Sequence, residues 1–328
     1  MKIINLALCP VLASSLLAGC VMDSGEESLD GSADEAAPAD DGAGEASELR
    51  AINGRNAAAM EAKVLGTPTN TSLATWFSGT IAAGGTSHHY WNNAGSAVYA
   101  VGISPIGAST TNRCSLEITR TWDVQNYGGE REFHFEIKNV GSIACGGNLL
   151  LEGHTPSGSF ASGGIEPGTS QGFVWNNANP LTSTHYVNIA PSGASPSNSC
   201  KLELTRQYYF RQSTGERELR FTIANIGAIA CQGTILIGRA PDQVASWASG
   251  SMAAGVSSNW YWNNANPLTR IYAPGLVPAI GCAMEVPRSY YSQVINSDGT
   301  AEREFHWVVK NVDTTSCSAT VLLNHADE

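Results

Sequence analysis

The sequence repeats one short motif whose residues could bind a ligand. A tryptophan is followed by two asparagines and an alanine at Trp91–Ala94, Trp175–Ala178 and Trp262–Ala265. An exposed indole ring can stack on the C–H face of a pyranose, and asparagine amides exchange hydrogen bonds with hydroxyls. The candidate ligand-binding residues are therefore Trp91, Asn92, Asn93, Trp175, Asn176, Asn177, Trp262, Asn263 and Asn264. In the alternative interpretation, the tryptophans are core residues and the asparagines cap a turn.

Three further patterns could carry chemistry. Paired carboxylates catalyse glycoside hydrolysis, and Glu-Arg-Glu triplets occur at Glu130–Glu132, Glu216–Glu218 and Glu302–Glu304. Because each pair lies two residues apart on one outward strand face, the triplets indicate a structural element that pairs with arginines. Residues 168–172 match the G-x-S-x-G pattern, but a nucleophile elbow needs a strand, a sharp turn and a helix. We therefore predict no catalytic residue.

Metal and cofactor sites are not predicted either. The pair His88-His89 occurs in only one copy of the repeat described below, and no phosphate-binding or dinucleotide fingerprint is present. The cysteines lack the paired C-x-x-C spacing of zinc sites. The prediction is a protein without a cofactor.

The motifs recur in a fixed order, so the chain contains three internal repeats. A cysteine precedes an arginine by six residues at Cys114/Arg120, Cys200/Arg206 and Cys282/Arg288. A second cysteine then follows the first Glu of each triplet by fifteen residues, at Cys145, Cys231 and Cys317. We place repeat 1 at 69–155, repeat 2 at 156–242 and repeat 3 at 243–328.

Each repeat has the alternating pattern of β-strands with one buried face. Residues 114–120 and 132–138 alternate apolar and polar positions around a turn signal at 126–129. A hairpin centred on this turn would place Leu116, Ile118 and Trp122 on one face with the aromatic residues of the second strand, and would turn Arg120 inward. About six strands in some 85 residues predict an all-β chain of three tandem immunoglobulin-like β-sandwich repeats. A single β-solenoid or propeller is the alternative, although paired cysteines favour self-contained units.

The cysteine count supports one disulfide in each repeat. The simplest connectivity is Cys114–Cys145, Cys200–Cys231 and Cys282–Cys317. Closing a loop of some thirty residues stabilises a small unit by roughly 3.5 kcal/mol in the chain-entropy model. Disulfides of this kind indicate an exported protein.

The N-terminus has the features of an export signal. Lys2 is followed by an apolar stretch that is too short to span a membrane comfortably and ends in Leu17-Ala18-Gly19-Cys20. This segment resembles the lipobox of bacterial lipoproteins, in which the cysteine is acylated and the signal is cut just before it. The resemblance implies a signal peptide at 1–19, a lipid (palmitate-type) anchor on Cys20 and an extracytoplasmic protein. Val21, where an aspartate would retain the protein at the inner membrane, favours the outer membrane if the source is Gram-negative.

An acidic segment separates the anchor from the repeats. Residues 21–63 carry eleven Asp or Glu and three basic side chains, so we predict a disordered linker at 20–68. The remaining charges are nearly balanced and form no basic stripe, which argues against nucleic acid. The expected function is multivalent binding of an extracellular glycan or cell-surface protein by a membrane-anchored array, because linked weak sites gain avidity. A structural spacer of the envelope is the alternative, and a secreted hydrolase is less favoured.

Overall fold

The computed structural model describes residues 63–64, 70–176, 178–267 and 269–326. The described residues form strands, turns and loops without a helix, so the chain is all-β as predicted. No helix in this part of the chain is long and apolar enough to cross a membrane. The predicted signal peptide, Cys20 and nearly all of the predicted linker lie outside the described residues. Lys63–Val64 form a two-residue strand, β1, which pairs with β8.

Each repeat contributes six strands. Repeat 1 contains β2 (Asn70–Phe77), β3 (Thr86–Asn92), β4 (Val98–Ile106), β5 (Cys114–Gln125), β6 (Arg131–Asn139) and β7 (Gly146–His154). Repeat 2 contains β8 (Gly158–Ala161), β9 (Ser170–Trp175), β10 (Thr184–Ser192), β11 (Cys200–Arg211), β12 (Arg217–Asn225) and β13 (Gln232–Ala240). Repeat 3 contains β14 (Asp242–Ala248), β15 (Ser257–Trp262), β16 (Ile271–Pro278), β17 (Ala283–Ile295), β18 (Ala301–Asn311) and β19 (Ala319–Ala326).

The six strands of a repeat form two antiparallel three-stranded layers. In repeat 1 these layers are β3-β6-β5 and β2-β7-β4, and repeats 2 and 3 have the same order. Phe133 and Phe135 of the first layer and Leu149 and Leu151 of the second are each at most 1% exposed and belong to one core. Alternation along the strands therefore buries one face of each layer, as the sequence predicted.

The strand order matches an immunoglobulin domain only in part. If the strands of repeat 1 are lettered A to F in chain order, the neighbours B-E-D and C-F agree with the immunoglobulin arrangement. The first strand, however, lies beside F, where an immunoglobulin domain has strand G. The disulfide joins the start of the fourth strand to the residue just before the sixth, rather than strands B and F.

The three repeats share one nine-stranded sheet. One half of β5 pairs with β11 (Trp122 opposite Glu203), and β11 in turn pairs with β17 (Tyr208 opposite Glu285). The ring closes because β17 pairs with the other half of β5, with Tyr290 opposite Glu117. The three pairings join equivalent positions when the sequences of the repeats are aligned on the first cysteine of each. The repeats are therefore related by a pseudo-threefold axis.

This closure corrects the expectation of self-contained units arranged in tandem. Repeat 1 contacts repeat 3 as directly as it contacts repeat 2, through backbone pairing and not through a short linker alone. The reason is that β5, β11 and β17 each use only one edge for the hairpin within their own repeat. Each has one edge left over, and the edge of the next repeat pairs with it.

A β-bulge corrects the predicted orientation of Trp122 and Arg120. The register of β5 against β6 shifts between Ile118 and Arg120, and a bulge moves every later side chain to the opposite face. Trp122 consequently lies opposite His134 on the outer face, and Arg120 is exposed. Equivalent shifts occur between Leu204 and Arg206 and between Glu285 and Arg288.

The disulfide prediction is confirmed. Cys114 bonds to Cys145, Cys200 to Cys231 and Cys282 to Cys317, and the Cα atoms of each pair lie 5.6 to 5.9 Å apart. Each second cysteine also forms a short backbone bridge to the strand-like segment after β2, β8 or β14. Each bond therefore ties the two layers of its own repeat together.

Candidate functional site

The three repeated tryptophans face the interiors of their repeats. Trp175 is 6% exposed and belongs to the core. Trp91 and Trp262 are half-buried and pack against the same core. The register explains this, because Trp91 lies opposite Phe133 and Trp262 lies opposite Phe305, both core residues. This placement agrees with the packing interpretation.

The asparagines of the motif form a turn. Asn93 and Asn264 have φ values of 56° and 55°, in the left-handed region that asparagine tolerates better than most residues. The next residue in each turn, Ala94 or Ala265, donates its backbone N–H to the carbonyl of Arg131 or Arg303. Asn92 and Asn176 are exposed at the ends of their strands. Asn177 lies outside the described residues.

The Glu-Arg-Glu triplets pair within their own strands. The second glutamate of each triplet contacts the residue two positions later, in Glu132–His134 (2.8 Å), Glu218–Arg220 (2.8 Å) and Glu304–His306 (2.9 Å). The central arginine of repeat 2, Arg217, is fully buried and donates to the carbonyl of Ser183 at 2.7 Å. These contacts support a structural role for the triplets.

The remaining sequence patterns have ordinary structural positions. Gly168 occupies a turn with φ 70°, and Ser170 begins strand β9 at an exposed position, so no strand–turn–helix elbow exists there. His88 and His89 point to opposite faces of β3, because His88 contacts His134 and His89 contacts Trp76. No group of three or more metal-ligating side chains occurs in the part of the chain that the structure describes.

The repeated arginines connect neighbouring repeats. Arg120 contacts Glu203 at 2.7 Å, Arg206 contacts Glu285 at 3.4 Å, and Arg288 contacts Glu117 at 2.7 Å. Each arginine therefore reaches a carboxylate of the next repeat, and the third pair closes the ring. Each guanidinium also lies over the ring of the aromatic residue two positions later, 5.0 to 5.3 Å from the ring centroid. No pattern in the sequence indicated that these arginines pair with another repeat.

The outer face of the nine-stranded sheet carries a cluster of rings that we call the first aromatic block, made of His88, Tyr90, Trp122 and His134. His134 stacks between Tyr90 (centroids 5.4 Å apart) and Trp122 (5.2 Å). His88 stacks on Trp122 at 4.9 Å and shares a 2.9 Å hydrogen bond with His134. Ring spacings close to the distance between strands show that the rings stand side by side on the sheet. Most ring faces therefore cover one another.

Tyr90 is the exception within this block. It lies on β3, which pairs only with β6 among the described strands, and it is 54% exposed. One face of its ring covers His134, and the other points away from the sheet. Tyr90 thus gives the outer face an aromatic ring that a ligand can reach.

The equivalent positions in the other repeats differ. Repeat 3 stacks Tyr261, His306 and Tyr290, with centroid distances of 5.6 and 4.6 Å. Repeat 2 places Arg220 where the other two have histidine, and Val174 at the edge position. The chemistry of the outer face consequently differs between the repeats.

Two groups on this face have displaced pKa values. Burial lowers the pKa of His134, and the hydrogen bond to Glu132 opposes this shift only partly. Burial alone would raise the pKa of Glu304, but hydrogen bonding to His306 and the charge of Arg113 hold it below its usual value. At neutral pH His134 of the first aromatic block is therefore uncharged.

The sequence analysis missed a repeated buried asparagine. Asn139, Asn225 and Asn311 are at most 1% exposed, and each precedes the second cysteine of its repeat by six residues. Asn225 donates to the carbonyls of Ile165 and Ile229, both at 2.7 Å, and accepts from the N–H of Gly227 at 2.9 Å. Its fixed spacing to the cysteine was the available signal. We call this asparagine and its adjoining disulfide the disulfide corner.

No protein-family model, no curated protein and no solved structure matches the chain. The fold and the residues themselves therefore carry the functional argument.

Proposed function

We propose that this chain is a lipid-anchored extracytoplasmic binding protein that contacts a glycan with the outer face of its nine-stranded sheet. The single observation that carries the proposal is the first aromatic block, in which the exposed ring of Tyr90 is supported from behind by His134 and Trp122. A supported ring loses little conformational freedom when a ligand stacks on it. Polar groups lie next to it, including the exposed His88 and Asn92.

The differences between the repeats on the outer face indicate how many of them can contact a glycan. Repeat 3 has a similar block around Tyr261, whereas Val174 offers repeat 2 no ring. The proposed binding is therefore multivalent through repeats 1 and 3 rather than through three identical Trp-Asn-Asn sites. Two weak sites on one rigid unit still gain avidity when the ligand presents repeated sugars.

Closure of the ring favours binding over the spacer alternative. A spacer gains reach when its repeats stack end to end, but here β17 of repeat 3 pairs back onto β5 of repeat 1. The three repeats thus add breadth to one face instead of length.

The remaining parts of the proposal concern the module and its compartment. We class each repeat as an immunoglobulin-like sandwich whose first strand takes the place of strand G, on the basis of its B-E-D and C-F neighbours. Lipidation of Cys20 and an outer-membrane location rest on the lipobox resemblance at 17–20. Three disulfides support an oxidising compartment.

The test uses the full chain, purified from membranes in a detergent without a sugar headgroup. The wild type and a Tyr90→Ala variant are applied to a glycan array, together with a Tyr127→Ala variant as the matched control. Tyr127 is 69% exposed in the hairpin turn and belongs to neither aromatic block. We expect wild-type binding to at least one glycan class, a loss of about tenfold or more in Tyr90→Ala, and no loss in the control.

Unchanged glycan binding by a folded Tyr90→Ala variant would contradict the proposed site. A wild-type protein that binds no glycan on the array, but is captured by an extracellular protein through the same face, would replace the glycan with a protein partner.

A further inference from the structure

The pseudo-threefold axis passes through a gap in the nine-stranded sheet. Strands β5, β11 and β17 pair with one another only near their ends, and each carries its bulge in the middle. Thr121, Gln207 and Ser289 are the equivalent residues at these unpaired centres, and all three are half-buried. Bulges commonly occur beside binding sites, because they turn side chains away from the regular ladder.

Strands β4, β10 and β16 come together beneath this gap and form what we call the hub. Their equivalent positions differ: Tyr186 in repeat 2 corresponds to Ala100 and Ala273 in the others. The Tyr186 ring packs against side chains of all three repeats, including Ala100 and Ile271. The single large side chain of Tyr186 therefore fills the hub. A hub with exact threefold symmetry would require three small side chains at these positions.

A cavity of about 300 Å³ lies between the gap and the hub, lined mainly by repeats 2 and 3 and also by Ala100 and Val101 of repeat 1. Its walls include Thr184, Tyr186 and Gln207 of repeat 2 and Ile271, Val286 and Ser289 of repeat 3. This volume is at the lower end of the range for small-molecule sites. It suits a single small ring rather than a chain of several.

The cavity wall combines polar and apolar groups without a charge. Among its described lining residues none is Asp, Glu, Lys or Arg, so a charged ligand would lose its hydration without a charged partner in the wall. Gln207 donates Nε2 to the carbonyl of His185 at 3.0 Å, which leaves its Oε1 as an acceptor. The hydroxyl of Tyr186 is buried and finds no hydrogen-bond partner among the described residues.

We propose that this axial cavity binds one neutral pyranose, with its hydroxyls on Gln207, Ser289 and Thr184 and its C–H face on the ring of Tyr186. Two further observations agree with a neutral ligand. Burial and the charges of Arg217 and Arg239 lower the pKa of His185 to about 3, so its imidazole is uncharged at neutral pH. Burial also raises the pKa of Tyr186 well above its usual value, so its phenol stays protonated.

This proposal is independent of the one for the outer face. The cavity shares no residue with the first aromatic block, and a sugar could reach it free in solution or as the last residue of a glycan. The shared chemistry is the neutral pyranose ring, and the two sources are separated by the form in which the sugar is offered.

The experiment measures sugar binding by saturation-transfer NMR and by calorimetric titration. It uses the full chain in the same detergent without a sugar headgroup. The probes are the methyl glycosides of glucose, galactose, mannose and N-acetylglucosamine, with glucuronic acid and glucosamine as charged comparisons. Oligosaccharides that end in the tightest-binding sugar test the second source. We expect millimolar binding of at least one neutral probe and none of the charged ones.

Two variants locate the site, and one serves as the control. Gln207→Ala removes the polar wall and Ala273→Leu fills the cavity, and each should weaken binding by about tenfold. Thr121→Ala changes the equivalent position of repeat 1, which does not line the cavity, and should leave binding unchanged, as should Tyr90→Ala. Melting temperatures verify that each variant is folded.

Three results would overturn the cavity proposal: a wild-type protein that binds none of the neutral probes, equal binding of the charged sugars, or undiminished binding in both cavity variants. Retained array binding beside any of these results would leave the outer-face proposal intact.

Discussion

The disulfide corner and the hub are built by opposite rules. At the corner, Asn139, Asn225 and Asn311 make the same three hydrogen bonds in every repeat. At the hub, equivalent positions hold residues of different size, as in Ala100, Tyr186 and Ala273. The physical reason is distance from the axis. Each corner has its own space, whereas hub side chains compete for a single space and only one large group fits.

The strongest test of this contrast moves the large hub side chain from one repeat to another. Tyr186→Ala should lower the free energy of unfolding by about 3–4 kcal/mol, because it leaves a void among side chains of three repeats. Ala273→Tyr should cost about 1–3 kcal/mol through overpacking. The double variant should be more stable than the sum of the two losses predicts, as measured by thermal and denaturant unfolding. Simple additivity would mean that the two positions do not share one space.

The corner should be costly to disturb in any repeat. Asn225→Ala leaves the Ile229 carbonyl and the Gly227 N–H without their partner and removes one of the two hydrogen bonds to the Ile165 carbonyl, and should cost about 3 kcal/mol. Asn139→Ala and Asn311→Ala should cost similar amounts, since their bonds are the same. Asn176→Ala is the matched control on an exposed asparagine of the Trp-Asn-Asn motif, and its effect should stay within about 0.5 kcal/mol. The melting temperatures of the four variants are compared. Unequal losses of stability at the three disulfide corners would show that the corners are not energetically equivalent.

The hub should also make stability depend on pH through His185. Its pKa falls from 6.5 to about 3 on folding, first through burial and then through the charges of Arg217 and Arg239. The unfolded chain therefore binds a proton that the folded chain refuses, so this contribution is complete above about pH 6.5 and is lost as the pH falls toward 3. At pH 4.5 the loss should be about 2.5 kcal/mol.

The check is His185→Tyr, which installs the residue of the other two repeats. Its stability, measured by urea unfolding between pH 7 and pH 4.5 (about the middle of the titration window), should fall less steeply than that of the wild type. Some slope should remain, because burial lowers the pKa of His154 to about 4 as well. Identical slopes in the two proteins would show that His185 does not titrate as proposed.

The smallest effect on stability is expected from the partly exposed ion pairs that join neighbouring repeats. Arg120 and Glu203 have side chains that are 45% and 10% exposed, and a partly exposed ion pair contributes about 0.2–1 kcal/mol. A double-mutant cycle with Arg120→Met and Glu203→Gln should give a coupling energy in this range that decreases with added salt. A coupling of several kcal/mol would show that the arginine–glutamate pairs between repeats, rather than strand pairing, mainly hold the three repeats together.

Much of the fold was predictable because its signals are local. Alternation around Cys114 and Glu132 predicted the β5–β6 hairpin, and the recurrence of two cysteines in each repeat predicted all three disulfides. The face of Trp122 was predicted wrongly, because a single-residue bulge leaves no clear mark in a polar segment such as Thr119-Arg120-Thr121. The aromatic rings on the outer face of repeat 1 include Tyr90 and His88 with Trp122, whereas Trp91 of the predicted motif faces inward.

The sequence alone determined the all-β class, the three repeats, their strands and their disulfides, because these follow from side-chain alternation and from spacing within about 85 residues. It also contains the segment 17–20 that resembles a lipobox, and the acidic segment. Only the tertiary structure decided that the repeats close into a ring, that each repeated arginine reaches the next repeat, and that the hub holds a cavity. Those features depend on strand edges that meet across the whole chain, and no local pattern records which edges remain free to pair.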